Sequence, residues 1–260
     1  MAAAEGACLD MTSTILFEQE AGIATLQFNR PDRRNALGRD ELSGIQKALA
    51  ALKPETRVLV ITSASGSIFC AGADLQQIRA GELDGDQFQQ VTNELADLPI
   101  PTLCVVNGNV FGGGCELAMS CDFRLAADHI IMRVPASAIG LCYPIEGIER
   151  MVSRLGVNLA KRILVAAEEF SAKQMLEFGI VNRLIHSDQL MNESDLTAKM
   201  LAQRAPLAVT AMLKIIRQAE RGSVVANEAR ELALMCSESD DLKEGLLAQK
   251  ERRAPVFKGA

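Results

Sequence analysis

The strongest constraint on this 260-residue chain is a change of rhythm near residue 145. Before that point, short apolar runs of strand length alternate with stretches whose apolar residues recur at helical spacing. Residues 15–17 and 23–28 are β-like runs separated by Ala21-Gly22, which reads as a hairpin turn. Residues 40–52 carry Leu42, Ile45, Leu49 and Leu52 on one helical face, and Pro54 closes that stretch. Residues 58–62 and 102–106 are continuous apolar runs suited to buried strands, and residues 88–98 between them read as a helix. The pattern continues with a helix over 115–120 and strands over 125–127 and 130–134. Strands alternating with helices point to parallel crossovers and an α/β core.

After residue 145 the strand signals fade. Residues 159–167, 171–178, 196–204, 207–221 and 227–250 read as amphipathic helices, with 180–185 the only strand-like piece among them. Ser171, with Gln174 three positions on, has the form of a capping box. The plan is therefore a loose small-residue tail over 1–11, an α/β core over 12–195 and a helical region over 196–260.

Composition narrows the function classes. Hydrophobic residues make up 48% and charged residues 23%, the profile of a globular chain. The net charge of −6 argues against a nucleic-acid partner, because phosphate neutralisation needs a basic face. No apolar run reaches the roughly 18 to 20 residues that span a bilayer. The first ten residues lack the charged and apolar regions of a secretory signal. Seven scattered cysteines without a C-x-x-C pair read as reduced core thiols, which predicts a cytoplasmic protein.

Two glycine-bearing loops could carry chemistry. One is Phe69-Cys70-Ala71-Gly72-Ala73-Asp74-Leu75. The other runs from Asn107-Gly108 through Gly112-Gly113-Gly114 to Cys115-Glu116. Each lies between a strand and a helix, where small residues let the backbone approach a ligand and helix N-terminal amides favour negative charge. Side by side, two such loops could aim N–H donors at one carbonyl oxygen. Taken singly, glycine-rich strand-to-helix turns also occur in many unrelated α/β folds, and neither loop is a G-x-G-x-x-G or Walker A motif.

Several ordered motifs together are more specific. Asn29-Arg30-Pro31-Asp32-Arg33-Arg34-Asn35-Ala36-Leu37, the two glycine loops, Cys121-Asp122-Phe123-Arg124-Leu125-Ala126 and Ala205-Pro206-Leu207-Ala208 resemble successive signatures of the crotonase (enoyl-CoA hydratase/isomerase) family. The similarity extends from about residue 14 to 258. It implies a crotonase-type spiral of ββα units with a C-terminal helical trimerisation region, in a homotrimer or homohexamer. It also implies an acyl-CoA thioester substrate, fatty-acid-type metabolism and no cofactor beyond the coenzyme A carried by the substrate. The backbone amides of Ala73 and Gly113 match the family's oxyanion hole. Arg33, Arg34, Ala36, Leu37, Ala71, Asp74 and Leu75 match the segments that hold coenzyme A, with Arg33 equally readable as a solvated surface charge. No metal-ligand cluster is expected, and neither His129 nor His186 matches a catalytic position.

The chain also departs from the family pattern. Hydratases of this type resemble one another in two glutamates. One matches Glu116, but the other position is Ala136, and an aspartate used by some isomerases is here Pro144. Tyr143, the only tyrosine, is placed like a tyrosine in methylmalonyl-CoA decarboxylase-like members, although those often carry a His where this chain has Ala73. Glu116 and Tyr143 are therefore the catalytic candidates; Glu146 and Glu149 follow closely enough to reach the pocket, but a solvated helix face is the preferred reading of both. Three functions stay open: an enoyl-CoA hydratase/isomerase-like activity, decarboxylation of a malonyl-type CoA ester, and acyl-CoA or protein binding without turnover.

Overall fold

The structure, a computed structural model, describes residues 13–65, 67–83 and 85–260. The expected tail over 1–11 lies outside the described residues. In chain order the strands are β1 (Ile15–Glu20), β2 (Ile23–Phe28), β3 (Val58–Ser63), β4 (Ile68–Cys70), β5 (Thr102–Val106), β6 (Asn109–Phe111), β7 (Phe123–Ala127), β8 (Ile131–Arg133), β9 (Glu169–Ser171) and β10 (Arg183–Ile185). The helices are α1 (Arg39–Ala50), α2 (Leu75–Ala80), α3 (Gly85–Ala96), α4 (Gly113–Ser120), α5 (Ile145–Leu155), α6 (Val157–Leu164), α7 (Ala172–Glu177), α8 (Ser187–Ala202), α9 (Pro206–Glu220), α10 (Ala226–Glu238) and α11 (Asp240–Glu251).

Two sheets organise the core. A six-stranded sheet runs β1-β2-β3-β5-β7-β10, and a four-stranded sheet runs β4-β6-β8-β9. The hairpin β1–β2 and the edge pair β8–β9 are antiparallel, and all other pairings are parallel. The chain lays one strand in each sheet and returns through a helix: β3–β4 into α2 and α3, β5–β6 into α4, β7–β8 into α5. This is the expected spiral of ββα units.

The sequence explains the central strands. β3 and β5 are buried at every position, as parallel strands covered on both faces must be. β2 alternates half-buried and buried residues. Phe28 of β2 meets Phe69 of β4 edge-on, with ring centroids 5.3 Å apart, joining the two sheets through an aromatic pair.

The differences from the expected elements have simple causes. β4, β6 and β9 have three residues each, too few for an alternation to be read. The expected helix over 227–250 is two helices, because Ser239 is extended (ψ 153°) and its Oγ caps α11 by accepting from Leu242 N–H. The expected strand over 180–185 shrinks to β10. The helix expected from residue 196 begins at Ser187. It packs across β2, β3, β5, β7 and β10, so the expected division at 195/196 falls inside α8. Ser171 and Gln174 do form the capping box of α7.

Candidate active site

The first loop is fixed by a short ladder. Arg34 and Asn35 adopt left-handed backbone (φ 54° each), which reverses the chain after residue 33. Asn35 is buried, and its side-chain amide donates to the Ile68 and Phe69 carbonyls at 2.9 and 3.1 Å. Ala71 N–H then donates to Arg34 O, Leu37 N–H to Gly72 O, and Asp74 N–H to Leu37 O, at 2.8–3.1 Å. Alternate groups in such a pairing point to opposite sides. Ala73 N–H therefore faces away from residue 37, and it meets no acceptor among the described residues.

The second loop supplies a similar donor. Gly112 precedes α4, and Gly113 occupies the first helical position, where the N–H has no intrahelical acceptor. Among the described residues it has no other acceptor either. The two loops touch. Gly72 has φ +88°, and a Cβ there would lie 2.8 Å from Gly113 N and 2.9 Å from Phe111 O, so only glycine fits. A Cβ on Gly113 would lie 3.5 Å from Ala73 N and 3.0 Å from the Phe88 ring. The two free amides are thus neighbours, bordered by an aromatic ring from α3.

Behind them lies a buried polar cluster. Glu116 on α4 is 0% exposed. Its Oε1 accepts from Gln89 Nε2 at 3.0 Å, from Thr92 Oγ1 at 3.4 Å and from the Arg150 guanidinium at 3.0 Å. Its Oε2 has no partner among the described residues. Burial pushes the Glu116 carboxyl above the ordinary glutamate range, against the lowering pull of the Gln89 hydrogen bond and the Arg150 charge. Tyr143 is buried, and its hydroxyl donates to Gly112 O at 3.3 Å. Burial and the neighbouring Glu116 carboxylate hold its phenol well above the usual range.

The structure gathers the sequence-predicted residues unevenly. Ala73, Gly113, Glu116 and Tyr143 converge. Arg33, Arg34, Ala36, Leu37, Ala71, Asp74 and Leu75 lie on the two interlocked segments beside them. Leu37 is fully buried, so its side chain belongs to the core and only its backbone is available to a ligand. Asp74 caps α2 by accepting from Gln76 and Gln77 N–H, and it lies 3.5 Å from Arg30. Arg33 is exposed and donates to Gln76 at 3.0 Å. Glu146 and Glu149 are exposed on α5, and His129 sits at the surface against Ser187.

Gln89, Thr92, Gly147 and Arg150 were not expected at the site. The structure reveals why Arg150 belongs here: Gly147, Arg150 and Met151 form one buried stripe on α5. An arginine on such a stripe requires a buried partner.

Comparison with known proteins identifies the family. The family model described as enoyl-CoA hydratase/isomerase matches residues 18–260. The chain is 34% identical over 251 residues to mouse enoyl-CoA hydratase domain-containing protein 2, mitochondrial, covering 92% of this chain and 85% of that protein. It is 32% identical to crotonyl-CoA hydratase of Syntrophomonas wolfei, covering 94% and 97% of the two chains. A solved structure of an enoyl-CoA hydratase/carnithine racemase from Magnetospirillum magneticum superposes with a TM-score of 0.91 at 26% identity, covering 99% of this chain and 100% of that one.

Proposed function

We propose that this chain, which belongs to the enoyl-CoA hydratase/isomerase family, converts an enoyl-CoA thioester through an enolate held by the amides of Ala73 and Gly113. The observation that carries this reading is the pair of adjacent N–H donors, one from each glycine loop, that meet no acceptor among the described residues. Preorganised donors of this kind stabilise charge that develops on a thioester oxygen, and losing one typically costs about 3 to 4 kcal/mol of transition-state stabilisation.

Glu116 is the acid/base group. Position 136 is alanine, so one carboxylate serves both proton transfers. In hydration, Oε2 takes a proton from water as the water oxygen bonds to C3, and the C2–C3 π electrons move onto the thioester oxygen. The same carboxyl then returns a proton to C2 as the enolate collapses. In isomerisation of a 3-enoyl thioester, Oε2 removes a C2 proton and redelivers it at C4. A carboxyl held above the ordinary glutamate range by burial suits both halves, because it regains its proton more readily than a free glutamate. The turn over 33–37 and the loop over 71–75 bind coenzyme A, with Arg33 and Arg34 meeting phosphate. The apolar residues left exposed on α9 to α11, among them Met212, Ile216, Leu234 and Leu246, support assembly into a trimer or hexamer.

A second reading rests on Tyr143. Its hydroxyl sits on the Gly112 carbonyl beside the amide pair, where it could aid loss of carbon dioxide from a malonyl-type ester. Mass spectrometry of crotonyl-CoA, a 3-enoyl-CoA and methylmalonyl-CoA incubated with the protein separates the readings. Water addition or double-bond migration abolished in Glu116→Ala supports the first. Carbon dioxide loss sensitive to Tyr143→Phe and not to Glu116→Ala moves the protein to the decarboxylases. Binding with no turnover leaves it an acyl-CoA-binding protein.

A further inference from the structure

Glu116 is held asymmetrically. Three donors from two other helices converge on Oε1: Gln89 and Thr92 of α3, and Arg150 of α5. None donates to Oε2, while Gly147 in the first turn of α5 packs against both oxygens of the carboxylate. A Cβ at Gly147 would lie 2.6 Å from Oε2, so that turn closes directly over the carboxylate. Arg150 is itself fixed, because its second terminal nitrogen donates to Asn93 Oδ1 at 2.6 Å. Its outer side lines a cleft of about 580 Å³ between α3, α5 and α9.

We infer that Arg150 is the positioning residue of the site: it anchors Glu116 through Oε1, keeps the carboxylate ionised, and leaves Oε2 as the atom that exchanges protons. An opposite charge within about 4 Å favours the ionised form of a carboxyl, and a fully desolvated carboxylate needs such a partner. The groups facing Glu116 are Gln89 and Thr92 on α3, Tyr143 on the preceding loop and Arg150 on α5. The charges acting on Arg150 besides Glu116 are Arg154 of α5 and Glu220 of α9, which pair with each other at 2.8 Å. Asp97, just past the end of α3 and paired with Arg221, lines the same cleft with Glu146 and Glu149 of α5. Among the described residues, Arg150 is the one cation that forms an ion pair with Glu116.

This inference rests on Glu116 being the proton-transfer group, and the test separates the two claims. Carbon-13 NMR of protein labelled at the glutamate side-chain carboxyl reads the Glu116 titration directly, with Glu116→Gln identifying the resonance. The midpoint is expected to rise by about one pH unit or more in Arg150→Gln, to stay near the wild-type value in Arg150→Lys, and to rise by a smaller amount in Asn93→Ala. The acid limb of the kcat profile moves by the same amount, while KM for the thioester is unchanged. If Arg150→Gln does not fold, Asn93→Ala and Arg150→Lys carry the test alone. A Glu116 midpoint unmoved in the folded variants overturns the inference, whatever the activity. A shifted midpoint in a protein that turns over no acyl-CoA would sink the proposed reaction and leave the positioning role standing.

Discussion

The two halves of the site are built in different ways. The amide pair of Ala73 and Gly113 is made of backbone, and each donor is placed by a loop of a few consecutive residues around one obligatory glycine. The Glu116 cluster is made of side chains delivered by α3, α4 and α5, across 34 residues on one side and 27 on the other. The backbone half depends on local conformation, and the side-chain half depends on the packing of three helices. Damage to the first should therefore appear as lost charge stabilisation. Damage to the second should appear as altered protonation and stability.

The largest expected effect is on the side-chain half. Glu116→Gln keeps the shape of the cluster but removes the proposed proton-transfer group, and kcat should fall by about 10² to 10⁴-fold with acyl-CoA affinity retained. Steady-state rates and equilibrium binding check this together. In the backbone half, Gly72→Ala forces a Cβ into a backbone conformation at φ +88° against Gly113 N. About 1–3 kcal/mol of stability should be lost, and kcat should drop about 10²-fold as the two donors separate. A retained kcat in a correctly folded Gly72→Ala would break the comparison.

The sequence made these halves unequally legible. The glycine loops, the hairpin, the central strands and the α7 cap could be read from local patterns. So could Ala73, Gly113 and Glu116, once the loops were set beside the family they resemble. Arg150 could not, because nothing local links it to residue 116, 34 positions earlier in the chain. The short strands β4, β6 and β9 gave no periodicity, and the break at Ser239 was concealed by helical spacing on both sides of it.

Two further tests sharpen the contrast. Arg150→Gln leaves a buried carboxylate without its counter-charge, at a cost of about 3 kcal/mol near neutral pH. The sign with pH follows from the raised Glu116 pKa. As pH falls through it, Glu116 protonates and no longer needs the partner, so the stability gap to wild type should narrow toward acid. Denaturant unfolding at two pH values measures this. For the same reason wild-type kcat should rise with pH through a midpoint above the ordinary glutamate value. The smallest effect is expected at the border between the halves. Phe88 packs against Gly113, and Phe88→Leu should leave kcat for a short enoyl-CoA within a few-fold. It should also shift the ratio of kcat/KM toward bulkier acyl groups by about tenfold.

The central claim is that the paired amides stabilise an enolate, and exchange of α-hydrogens tests it most directly. A saturated acyl-CoA incubated with the protein in heavy water can gain deuterium at C2 only by passing through the enolate. Mass spectrometry should find deuterium incorporated at C2 by the wild-type protein, strongly reduced in Gly72→Ala and lost in Glu116→Gln. Tight binding of the acyl-CoA by the wild-type protein with no C2 exchange at any pH would contradict the account.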